Sequence, residues 1–100
     1  MYQKIKNTLH ITVKDVNLKT LRKIEFYIRQ GELFFEYIPT IINEHEMSVI
    51  IPKIDADFLK ANEKVELQFC YTDENDNDVP SKKSTVDVEE LLKTEGYNGN

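Results

Sequence analysis

Hydrophobic and polar residues alternate most regularly over Val65–Thr72. Val65, Leu67, Phe69 and Tyr71 fall on one side of an extended chain, and Glu66, Gln68, Cys70 and Thr72 on the other. A period of two is what a strand with one face in a core requires, because successive side chains point to opposite faces. This segment is predicted to be the central strand. The same alternation predicts a first strand over Thr8–Lys14, with Leu9, Ile11 and Val13 on one row. It predicts another over Arg22–Gln30, with Ile24, Phe26 and Ile28 inward. Gln30-Gly31 marks a tight turn, and Glu32–Ile38 returns with Leu33, Phe35 and Tyr37 inward. Pro39 interrupts pairing, Thr40–Ile42 reads as an edge, and Met47–Ile51 is a strand with Met47, Val49 and Ile51 inward.

Elsewhere the period changes. Asp55–Asn62 reads as a short crossover helix capped by Asp55, with Phe58 and Leu59 towards the core. Val16 and Leu18 are placed at the end of the core. Ser84–Val88 is the last strand, with Val86 and Val88 inward, and Glu89–Lys93 forms a helical end carrying Leu91 and Leu92. Residues 1–7 and 94–100 are expected to be flexible. Short strands joined by turn signals predict a single all-β domain over residues 1–100. Its architecture is a two-sheet antiparallel, immunoglobulin-like β-sandwich with one short crossover helix. A small α+β fold of the β-grasp kind is the alternative.

Composition narrows the function. One hundred residues can enclose one modest core. A net charge of −5 argues against a general nucleic-acid binder, which needs clustered cations to displace counterions from phosphates. There is no apolar run long enough for a membrane span, and the start MYQKIKNTLHITV lacks the apolar segment of a secretion signal. The single cysteine, Cys70, has no intramolecular disulfide partner and reads as a small strand side chain.

Candidate chemistry is sparse. Asp73, Asn75, Asn77 and Asp78 offer oxygen ligands of the kind Ca²⁺ prefers, in a spacing that resembles the start of an EF-hand loop. The pattern breaks at its sixth place, where Asp78 stands for glycine, and at its twelfth, where Ser84 stands for glutamate. A solvated hairpin loop is the plainer reading. Glu44-His45-Glu46 has no Cys/His partner at finger-like spacing, and His10 faces outward on the first strand. Asp55/Asp57 and Glu89/Glu90 are carboxylate pairs with no sign of a cleft to set their acidities apart. No nucleophile motif or glycine-rich phosphate loop is present, so no enzyme, catalytic residue or cofactor is expected.

The inward rows leave Tyr27, Phe34, Ile38 and Ile50 facing out. Several apolar side chains on neighbouring strands form a patch, the mark of an interface. The alternative is that Leu91 and Leu92 fold over them.

The order of features resembles a small family of proteins encoded in phages and prophages of Firmicutes. The likeness runs through Thr8-Leu9-His10-Ile11-Thr12-Val13, then Leu21-Arg22-Lys23-Ile24-Glu25-Phe26-Tyr27. It continues with Met47–Pro52 and Asp55-Ala56-Asp57-Phe58, then Val65-Glu66-Leu67-Gln68, and ends with Ser84–Val88 and Glu89-Glu90-Leu91-Leu92. The resemblance implies a tail-region or virion-associated protein with an immunoglobulin-like sandwich and no catalytic residues. The expected function is therefore docking onto other protein chains, phage tail proteins or a second copy. The expected setting is the bacterial cytoplasm during assembly or the virion. A sugar- or Ca²⁺-binding module using Tyr27, Tyr37 and Tyr71, and a small acidic inhibitor of a host enzyme, are the alternatives.

Overall fold

The computed structural model describes residues 1–90 and is an all-β sandwich of two antiparallel sheets. The strands are β1 (Asn7–Thr12), β2 (Lys23–Gln30), β3 (Leu33–Tyr37), β4 (Thr40–Ile41), β5 (Glu46–Ile51), β6 (Lys64–Thr72), β7 (Asp78–Pro80) and β8 (Ser84–Asp87). A 3-10 turn at Leu18–Thr20 and a one-turn helix α1 (Lys53–Ala56) complete the elements. The small sheet has the order β1-β5-β4. The large sheet runs β3-β2-β6-β7, with β8 also on β6.

The alternating rows meet between the sheets as the period demanded. Phe26 and Ile28 from β2 pack with Val49 and Ile51 from β5, Val65 from β6, Val88, and Ala56 and Leu59 of the crossover. Each of these side chains other than Ala56 contributes about 1.5–3 kcal/mol relative to leaving it in water. A second cluster of Leu18, Ile24 and Met47, flanked by Val13, Val16 and Leu21, closes one end. Val16 and Leu18 are where the pattern put them.

Strand β6 is central, with β2 along one side and two partners sharing the other. β8 pairs with its first half and β7 with its last three residues. Ser81 bridges the change of partner. Its N–H donates to the Phe69 carbonyl at 2.7 Å, and its hydroxyl accepts from the Phe69 N–H at 3.0 Å. The β2–β3 hairpin closes on Gly31-Glu32. Gly31 alone in that turn has positive φ (60°), the requirement of a type II′ turn with glycine first.

Two expectations are corrected. The crossover helix covers Lys53–Ala56, not Asp55–Asn62, because Pro52, with its fixed φ and no N–H, starts it earlier. Leu59 is buried (3% exposed) while Phe58 points outward (63%), so only one of the two reaches the core. Residues 1–7 bond to the rest of the fold. Tyr2 forms a parallel bridge with Glu89, the Lys4 N–H donates to the Ala56 carbonyl, and Gln3 Nε2 donates to the Leu59 carbonyl. Asn7 is buried, accepting from the Tyr2 N–H at 2.9 Å and donating to the Tyr2 carbonyl at 2.7 Å. Gln30 does the same for Lys60, thirty residues on (2.7 and 3.0 Å), so two buried amides each pair with both main-chain groups of one residue. Short β7 is additional to the strands read from the pattern. Leu91 and Leu92, and residues 94–100, lie outside the described residues.

Candidate functional site

The acidic loop holds itself together. Asp73 accepts from the main-chain N–H groups of Asn75 (2.8 Å) and Asn77 (3.0 Å), which with the Asn77 amide hold its carboxyl below the ordinary carboxylate range. Asp76 turns back to pair with Arg22, and Asp78 accepts from the Thr72 hydroxyl at 2.7 Å. Asp73, Asp76 and Asp78 thus face different partners. Among the described residues no group of three or more His, Cys, Asp or Glu side chains converges as a metal site.

The other candidates are committed locally. His45 Nδ1 lies 3.0 Å from the Val13 carbonyl, an acceptor, so this nitrogen donates. Together with the Val13 N–H bond to the His45 carbonyl (2.8 Å), it pins the end of β1 to the β4–β5 turn. Asp55 accepts from the Tyr37 hydroxyl at 2.7 Å, and Asp57 pairs with Lys53. Burial, that bond and the Asp55 charge push the Tyr37 phenol well up. Burial, then the charges of Asp78 and Glu25, push the Cys70 thiol up, so it is a poor nucleophile at neutral pH.

The four outward apolar residues do not form one patch. Tyr27 and Phe34 stack on the outer face of the large sheet, ring centroids 5.8 Å apart, with Phe34 54% exposed. Ile38 sits where the chain crosses from β3 to β4 and is 84% exposed. Ile50 (53%) is on the outer face of the small sheet, among Thr8, Ser48 and Thr40. The reason is topological. Pro39 ends β3's ladder, and the chain changes sheets before reaching β5.

One hollow lies beside the Tyr27–Phe34 pair and another where β2, β3 and β4 meet the 3-10 turn. The first, of about 280 Å³, is lined by Tyr27, Phe34, Arg29, Glu66, Gln68 and Lys83. Arg29 donates twice to Glu66 Oε1 (3.1 and 2.7 Å), which holds the Glu66 carboxyl below its usual value. The other, of about 350 Å³, has an apolar wall of Leu18, Leu21, Ile24, Ile38, Pro39 and Ile41. Glu25 and Glu36 stand on its rim as diagonal neighbours on adjacent strands. They share a hydrogen bond, which raises Glu36 and lowers Glu25, with Lys23 at 3.4 Å also favouring the Glu25 charge. The sequence reading missed this pair. The signal was present in the two-residue turn at Gly31-Glu32, which sets Glu36 opposite Tyr27 and beside Glu25 on the outer row.

Comparison with protein-family models finds none that matches the chain, and comparison with curated proteins finds none either. Among the described residues no helix is long and apolar enough to cross a membrane.

Proposed function

We propose that the protein is a non-enzymatic docking module whose contact surface is the outer face of the large sheet around Tyr27 and Phe34, extended along β3 to Ile38. The observation that carries this reading is the stacked aromatic pair left open beside an ion-paired rim. Rigid aromatics with adjacent arginine are the residues that anchor protein interfaces. The setting we propose is a phage or prophage assembly near the tail, in the bacterial cytoplasm or the virion, and it rests on the family resemblance. Ile50, on the other sheet, is not part of this surface.

The test is binding of the purified chain to the tail and baseplate proteins encoded beside its gene. Loss of binding in Phe34→Ser, with Ile50→Ser unaffected, is expected. No binding to any of them, or binding indifferent to Phe34, overturns the reading. A second reading, a sugar-binding face, is favoured by one observation. The smaller hollow sets Tyr27 and Phe34 beside Arg29, Glu66 and Gln68. Tyr37 and Tyr71 do not serve it, because both lie on inward rows. Glycan binding abolished by Phe34→Ser would establish this reading.

A further inference from the structure

Each sheet ends in edge strands, and most are blunted. β4 is two residues long and follows Pro39, β7 ends in Pro80, and β8 follows Lys82-Lys83. Short edges, proline and lysine are the usual guards against edge pairing. β3 and β1 are longer, five and six residues, and contain neither proline nor lysine. Each ends its sheet, so one side of each is unpaired within the described residues.

Register says which main-chain groups face that open side. Gln30 and Leu33 flank a two-residue turn and exchange hydrogen bonds, as then do the pairs Ile28–Phe35 and Phe26–Tyr37. Phe34 and Glu36 therefore turn their N–H and C=O groups outward. On β1, the Val13 N–H bonds the His45 carbonyl, which makes Ile11–Met47 and Leu9–Val49 the bonded pairs. Thr8, His10 and Thr12 therefore face the open side.

The two edges are opposite in charge. β3 with its turn, residues 30–37, carries Glu32 and Glu36 and no lysine or arginine, and residues 1–14 contain Lys4, Lys6 and Lys14 but no acid. One antiparallel register of β3 on β1 satisfies charge, main chain and burial together. It sets Phe34 level with Thr12, Glu36 with His10 and Glu32 with Lys14, and brings the half-buried row Leu33, Phe35, Tyr37 against Val13, Ile11, Leu9. Slipping by two residues either way keeps the main-chain bonds but takes Glu36 off His10 and Glu32 off Lys14.

We infer that the chain assembles head to tail with copies of itself, β3 of one protomer adding to β1 of the next in this register. The inference rests on the docking reading and deepens it by naming one partner. Because the two edges differ, the contact is heterologous, and a row of copies keeps a free β3 at one end and a free β1 at the other.

Sedimentation of the full chain over a wide concentration range tests it. The mean mass is expected to climb past that of a dimer and to fall with added salt. Thr12→Pro and Glu36→Pro each block one edge without removing a ladder bond, since both N–H groups face outward. Each alone is expected to stay monomeric, and their mixture to stop at a dimer. Should either proline variant fail to fold by circular dichroism, Glu36→Lys and His10→Glu serve instead. Each should weaken assembly about tenfold, and the chain carrying both should regain it. A monomer at every concentration, a dimer indifferent to Thr12→Pro, or charge variants without effect overturns the inference. Phe34→Ser keeps the β3 main chain, so lost partner binding with retained assembly separates a failure of one reading from a failure of the other.

Discussion

Consider replacing Gln30 by methionine. Gln30 ends β2 and is 8% exposed, and its amide makes both bonds of a strand-like pair with the Lys60 main chain, at 2.7 and 3.0 Å. Those bonds fasten the loop after α1, which carries buried Leu59, to the large sheet. Methionine keeps the length and the apolar contacts and removes both bonds. At a net ~0.5–1.5 kcal/mol per bond, the loss is about 1–3 kcal/mol. For a domain of this size, that lowers the melting temperature by about 4–8 °C per kcal/mol. Urea unfolding followed by circular dichroism measures it, with the slope expected to be unchanged.

Gln30→Glu sharpens the argument. One carboxylate oxygen still accepts from the Lys60 N–H, but the other faces the Lys60 carbonyl and repels it. A protonated carboxyl restores the donor. The folded-state pKa of this variant is therefore raised above the unfolded value. Relative to wild type, its stability should be poorest at neutral pH and recover as pH falls through that raised value. Wild-type stability in Gln30→Met, or a Gln30→Glu deficit that does not change with pH, would refute the reasoning.

Glu36 is held above and Glu25 below the ordinary 4.5 by their shared bond, so side-chain NMR should show them titrating on opposite sides of that value. The Glu36 share of stability is full below its unfolded value and lost as pH rises through the folded one. Glu36→Gln should accordingly be more stable than wild type at pH 7 and lose that advantage as the solution is acidified, measured by urea unfolding at both pH values. Cys70, its thiol pushed up by burial and by Asp78 and Glu25, should react with iodoacetamide more slowly than a free cysteine peptide at pH 7 and match it only after unfolding. Lys4 has φ 66°, a conformation that crowds any Cβ, so Lys4→Gly should raise stability by up to ~1 kcal/mol in thermal melts.

The alternation of side chains is a local property, and it settled every strand but short β7 and which residues of those strands face the core. Met47, Val49 and Ile51, and Val65 at the start of the central strand, are buried as their spacing required. The turn at Gly31 and the closing of one end by Leu18 were legible for the same reason, since each depends on residues adjacent in the chain. Pairing between distant strands is a different quantity. It depends on which edges meet across many residues, and only the tertiary structure decided it. Pairing put Ile50 on a different sheet from Tyr27 and Phe34, gave β6 two partners on one side, and brought Glu25 beside Glu36. It also bound the first residues to Glu89, Ala56 and Leu59. A buried amide such as Gln30 looks in sequence like any surface polar residue. Its role arises only when the fold delivers a distant main-chain N–H and C=O to its two ends.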